Sequence, residues 1–308
     1  MDQAQQLRNI IKQQNMQQHL ARVITVTSGK GGVGKSNMSV NMAIQLGRLG
    51  KKVVILDADF GLANVEVMLG TRPRYNMADM IYGRKGIKDI ICRGPENIGF
   101  ISGGSGIKEL SNLSKDQISG IVNMMYELDS IADVIIIDTG AGISDAVIDM
   151  VLASSEVLLV TTPEPTSITD AYALLKTINK APGYSNDNIK IKMIGNRTLS
   201  MSDGEELYNK LNSVITKFLH MNMEYLGSVP FDVNLTKAVM KQQPVSVAYP
   251  NTPASKSIKA MAEKLANVEP ENQRGGIKSA SAHVLNFTIE LIDKCGQRKV
   301  CAGLAGLL

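Results

Sequence analysis

Gly29-Lys30-Gly31-Gly32-Val33-Gly34-Lys35-Ser36 decides the reading of this chain. It fits the spacing GxxxxGK[ST], in which glycines let backbone N–H groups wrap a phosphate chain at a helix N-terminus. In such a loop Lys35 reaches the β- and γ-phosphates and the Ser36 hydroxyl binds Mg²⁺, with Asn37 next in the nucleotide-binding run. The flanks suit the motif. The apolar, β-branched run Val23–Thr27 precedes it as a strand. The segment from Ser36 to Leu49 follows with apolar residues at 40, 43, 44 and 46, and stops at Gly50 before Lys51-Lys52.

Outward from the loop, similar runs recur at Val53–Leu56, Ile98–Ile101, Val134–Ile137, Val157–Val160, Ile189–Ile194 and Tyr225–Val229. Val134-Ile135-Ile136-Ile137 has no polar alternation, which marks a strand buried on both faces, as a parallel sheet requires. Strands alternating with helical segments predict an α/β fold: a doubly wound, mostly parallel sheet with helices on both faces. The last helix has Thr252 as N-cap, Pro253 at the first position, and Ile258, Met261, Ala262 and Leu265 on one face. The expected organisation is a segment over residues 1–21, one α/β domain over 22–267, and a linker and tail over 268–308.

A P-loop needs a carboxylate at the end of a neighbouring strand to hold the metal and its waters. Asp138 stands there, after four apolar strand residues and before Thr139-Gly140-Ala141-Gly142. A second strand ends in Asp57-Ala58-Asp59. Acids after a strand are often loop residues, but a carboxylate beside a γ-phosphate can also position or polarise attacking water.

Composition narrows the classes. Apolar residues at 44% and charged residues at 20% describe an ordinary globular chain. The net charge of +4 is spread in ones and twos, and there is no Trp, so stacking platforms and nucleic-acid binding are not expected. Cys92, Cys295 and Cys301 show no CxxC spacing, which points to free thiols in a reducing cytoplasm. The N-terminus lacks an apolar h-region, and no run reaches the roughly 18 apolar residues of a spanning helix.

The second lysine of the loop, Lys30, is the signature of the deviant Walker A motif, and the chain resembles the MinD/ParA branch of P-loop ATPases. The likeness covers Asp57-Ala58-Asp59-Phe60-Gly61-Leu62-Ala63-Asn64, Pro163-Glu164-Pro165-Thr166, Asn196-Arg197 and Pro230-Phe231-Asp232, in family order. It implies slow ATP hydrolysis, Mg²⁺ as cofactor, and an ATP-dependent homodimer in which Lys30 crosses to the partner's γ-phosphate. It implies that Asp59 orients the water, that Asp138 holds magnesium through its waters, that Asn196 and the Pro230–Asp232 segment meet adenine, and that Arg197 is a nucleotide-binding residue. Glu164 would lie near the partner's nucleotide. Where many MinD-like proteins have Ser-Pro or a similar pair after the metal carboxylate, this chain has Thr139-Gly140.

Asp2-Gln3-Ala4-Gln5-Gln6-Leu7-Arg8 resembles the DQAxxLR element of the MinD-like regulators of flagellar number. In that family the element activates the signal-recognition-particle-type GTPase FlhF. By that likeness Asp2, Gln3, Ala4, Leu7 and Arg8 are partner-activating residues, and flagellar basal-body switch proteins are further partners. The family generally ends in an amphipathic helix that adheres to membrane, which implies a cytoplasmic protein peripheral at the inner face when ATP-bound. Here the candidate, His283–Lys294, carries Glu290 and Asp293 and has its apolar residues all round, so packing on the domain stands beside membrane binding. A ParA-type DNA-segregation ATPase and a MinD-type division-site regulator are the alternatives. An iron–sulfur carrier would need paired interfacial cysteines, which the sequence does not offer.

Overall fold

A computed structural model of the chain describes residues 21–59, 64–104 and 127–267. Eight strands form one sheet: β1 (Arg22–Thr27), β2 (Val53–Ala58), β3 (Cys92–Arg93), β4 (Gly99–Ile101), β5 (Val134–Thr139), β6 (Glu156–Thr161), β7 (Lys190–Thr198) and β8 (Met223–Pro230), in the order β3-β4-β2-β5-β1-β6-β7-β8. All pairings are parallel except that of β3 with β4. Seven strands lie where the apolar runs predict them. The edge strand β3 was not expected, because two residues carry no periodicity to read.

The α-helices among the described residues are α1 (Lys35–Arg48), α2 (Asn64–Leu69), α3 (Met77–Ile81), α4 (Ile87–Ile90), α5 (Asp145–Leu152), α6 (Pro165–Lys180) and α7 (Met201–Leu219) between strands, and α8 (Val233–Met240), α9 (Val245–Ala248) and α10 (Pro253–Ala266) after β8. Strand alternation divides the core. Ile24, Val26 and Ile136 face a cluster that includes Met42 and Ile44 of α1 and Ile258, Met261 and Leu265 of α10. Their neighbours Val23, Ile135 and Ile137 face the opposite cluster, with Ile87 and Ile90 of α4 and Met150 of α5. Every residue of β2, β5 and β6 is buried, which is why these runs read as continuous apolar stretches. As expected, Thr252 caps α10, its side chain accepting from the Ser255 N–H, and Pro253 opens the helix.

A buried ion cluster ties the far end of the sheet. Glu156, at the start of β6, accepts from Arg22 of β1 and from Lys192 Nζ of β7 at 2.8 Å. The same guanidinium donates to the Leu265 carbonyl of α10, so one arginine joins the central strand to the closing helix. Removing one partner would leave uncompensated buried charge.

Gly204 breaks the propensity pattern inside α7, where glycine costs about 1 kcal/mol relative to alanine. Packing explains it: a Cβ there would lie 2.5 Å from both Tyr225 Oη and Ser228 Cβ of β8. Gly204→Ala should therefore destabilise the fold by roughly 1–3 kcal/mol despite its better helix propensity. Chemical denaturation of the pure variant checks this.

Candidate nucleotide site

The sheet's C-terminal edge collects the chemistry. After β1 the chain turns through the glycine-rich loop and enters α1 at Lys35, with Gly34 at the cap in the left-handed region (φ 100°). The loop has no room for side chains at two points. A Cβ on Gly29 would lie 2.1 Å from the Asp170 carbonyl carbon in α6, and one on Gly34 would lie 2.4 Å from Asn196 Nδ2. That amide, at the end of β7, donates to the Val33 carbonyl at 2.7 Å and accepts from the Arg197 N–H at 2.9 Å. Asn196, expected beside adenine, is thus bonded to the backbone of the glycine-rich loop.

Lys35 Nζ lies 3.1 Å from Ser28 Oγ, inside the loop. Burial lowers its pKa from the ordinary lysine value, against the raising influence of Asp138 and Asp59. Asp138 is fully buried. Its Oδ1 accepts from Ser39 Oγ of α1 at 2.8 Å, while Oδ2 has no hydrogen-bond partner among the described residues. Burial pushes its carboxyl up to about 6, opposed by the Ser36 and Ser39 hydroxyls and the Lys35 charge.

An orphaned buried carboxylate oxygen together with the Ser36 hydroxyl is a hard-oxygen donor set, which suits Mg²⁺. Among the described residues no group of three His, Cys, Asp or Glu side chains gathers for a metal, so a cation here would complete its shell from phosphate and water.

The neighbouring strand brings a second carboxyl into register, since Asp57 of β2 pairs with Asp138 of β5. Asp57 Oδ1 accepts from the Asp59 N–H and Oδ2 from the Val65 N–H, each at 3.2 Å. Burial, and then the nearby Asp138 charge, push it up to about 7. Asp59 is less enclosed, and its Oδ2 accepts from Asn64 Nδ2 at 3.0 Å. Phe60, Gly61, Leu62 and Ala63 lie outside the described residues, as do residues 1–20 and 268–308 with the expectations placed on them.

Lys30 turns aside from this cluster. Its ammonium donates to Glu164 Oε2 at 2.9 Å and Thr166 Oγ1 at 2.8 Å, in the turn leading into α6. That hydrogen bond and charge hold the Glu164 carboxyl below its usual range, with a smaller contribution from Arg197. Phe231 is 62% exposed beside the end of β7, its N–H donating to the Thr198 carbonyl at 2.9 Å. Asp232 caps two helices, accepting from the Asn234 N–H of α8 at 2.8 Å and the Ala254 N–H of α10 at 3.2 Å. Sequence reasoning overlooked Ser39, Thr166 and Asn64. Asn64 and Thr166 had a visible sign, each being the last residue of a matched stretch, Asp57–Asn64 and Pro163–Thr166, whereas Ser39 had none.

A family model described as "ParA: NUBPL iron-transfer P-loop NTPase" matches residues 19–266. The chain belongs to this ParA/MinD family and is a P-loop ATPase. Among its relatives, antiactivator FleN of Pseudomonas aeruginosa is 42% identical over 261 residues, 84% of this chain and 92% of that protein. The flagellum site-determining protein YlxH of Helicobacter pylori is 33% identical over 272 residues, 86% of this chain and 90% of that protein. The fold matches septum site-determining protein MinD of Pyrococcus horikoshii, solved with Mg-ADP, at a TM-score of 0.66 and 23% identity, covering 80% of this chain and 97% of that one.

The raised carboxyls give a pH dependence. Asp57 and Asp138 keep protons in the folded chain at pH values where the unfolded chain has lost them, so folding stability falls as pH rises from the ordinary carboxylate range through about 7. Between about pH 5 and pH 8 the nucleotide-free protein should lose roughly 2–4 kcal/mol, and Asp57→Asn should flatten the slope. Thermal unfolding between about pH 5 and pH 8 measures both.

Proposed function

We propose that this protein is an ATP-driven monomer–dimer switch that regulates flagellar number and placement, and that it stimulates an FlhF-type GTPase through its N-terminal segment. The flagellar assignment is supported by the likeness to FleN and YlxH. The observation that carries the switch is the position of Lys30: its side chain is 36% exposed, and its carboxylate partner Glu164 is 53% exposed. Solvent screens exposed ion pairs of this kind, so exchanging Glu164 for another subunit's γ-phosphate costs little.

In this reading Lys35 and the loop amides bind the β- and γ-phosphates. Ser36 and Asp138 hold Mg²⁺, which neutralises charge developing on the phosphates when bound. Asp59 orients the attacking water, and Asn196, Arg197 and the Pro230–Asp232 turn border the adenine. Residues 22–267 form the ATPase domain. Residues 268–308 are a linker and membrane-targeting tail, which weak, paired anchors in a dimer would make effective at an anionic membrane surface.

Two experiments test the parts separately. Lys35→Ala should abolish ATP binding, whereas Asp59→Ala should bind ATP and accumulate as a dimer, hydrolysis falling ~10²–10⁴-fold. Size-exclusion chromatography with ATP reads this, and an ATP-bound monomer of Asp59→Ala would sink the switch. A peptide of residues 1–23 should raise FlhF GTP turnover without the ATPase domain, and Gln3→Ala should remove most of that rise, since its amide can orient water. An unchanged GTPase rate would remove the FlhF assignment and leave the ATPase reading intact.

A further inference from the structure

Asp59 is bracketed by two residues to which no role has yet been given. On one side, Asn64 Nδ2 donates to Oδ2 at 3.0 Å. On the other, a Cβ built on Gly140 would lie 3.5 Å from Oδ1, so that oxygen sits over a bare α-carbon. Among the described residues, the Asn64 amide is the hydrogen-bond partner of the Asp59 side chain, and it uses Oδ2 alone.

The amide itself is anchored. Asn64 opens α2, and the next N–H, that of Val65, donates to Asp57 Oδ2 at 3.2 Å, while the Asp59 N–H donates to Asp57 Oδ1. One buried carboxyl of β2 therefore holds the backbone both at Asp59 and at Val65, next to Asn64, and the Val65 side chain is fully buried.

We propose that Asn64 is a positioning residue for hydrolysis: its amide pins Oδ2 of Asp59 and leaves Oδ1 as the oxygen that faces the attacking water, with Gly140 keeping that oxygen uncovered. The proposal rests on the reading of Asp59 as the water-orienting carboxylate. A carboxylate free to rotate about its last bond samples a broad range, and one directional hydrogen bond selects a narrow part of it. Misplacing an orienting group by about 1 Å can cost ~10²-fold in rate. The same geometry gives the Thr139-Gly140 pair a purpose. Gly140 has no left-handed backbone requirement, and an alanine methyl would meet Oδ1 at ordinary contact distance, so the bare position matters for access to the oxygen rather than for the fold.

Steady-state hydrolysis of Mg-ATP by the full chain tests this with Asn64→Ala, Asn64→Asp and Asp59→Asn. Asn64→Ala removes the donor and should lower kcat ~10-fold. Asn64→Asp keeps the shape but sets an anion against Asp59, and should lower kcat ~100-fold. Both should leave KM for ATP within about two-fold, as no contact to nucleotide is lost. A merely structural role gives the reverse order, because aspartate suits the first turn of α2 better than alanine. Asn64→Asp turning over at the wild-type rate, or faster than Asn64→Ala, would overturn the proposal while a dead Asp59→Asn keeps the reading of Asp59. Asp59→Asn with wild-type turnover would overturn both.

Discussion

The site depends on a carboxyl that the fold keeps out of water. Asp138 ends β5 between β1 and β2, with Ser39 on one oxygen and no described partner on the other. A buried group left in this condition is costly unless something charged completes it. The completing partners all arrive from the loop and the first turn of α1: the Lys35 ammonium, the Ser36 hydroxyl and the cation they would share with a phosphate chain. The parallel register sets this up, because Val26 of β1 and Asp57 of β2 both pair with Asp138, and the loop leaves β1 one residue after Thr27.

Around that carboxyl the molecule separates rigid parts from exchangeable ones. The loop is clamped by backbone at Gly29 and by the Asn196 amide at Gly34, so its N–H groups are fixed before ligand arrives. Preorganisation of this kind avoids reorganisation when charge develops. Lys30 and Glu164 are the opposite case, a solvent-exposed pair at the rim that can change partners. Asp59 lies between these extremes, its N–H and that of Val65 both bonded to Asp57.

Much of this was legible in the sequence, for definite physical reasons. Runs such as Val134–Ile137 announce a buried parallel strand because nothing polar can stand on either face, and Thr252-Pro253 announces a helix start because both residues suit that position. Asp138 and Lys35 could be read from local context alone. What stayed hidden depends on distance in the chain. The pairing of Asp57 with Asp138 crosses strands, the contact of Lys30 with Glu164 joins two loops, and Asn196 meets Gly34 only once β7 is placed in the sheet. Asp232 reads from the sequence as a residue beside adenine, and in the structure its carboxylate accepts from the first turns of α8 and α10. The contact with α10 spans 22 positions, and no local spacing reveals it.

In the proposed switch Lys30 is the moving part and Asp138 the fixed one, so a structure of the Asp59→Ala protein crystallised with Mg-ATP is the most direct test. Two facing subunits are expected, with Mg²⁺ between Ser36 and Asp138, and Lys30 released from Glu164 with its ammonium on the γ-phosphate of the other subunit. An ATP-bound single subunit, with the pair between Lys30 and Glu164 intact, would contradict the switch.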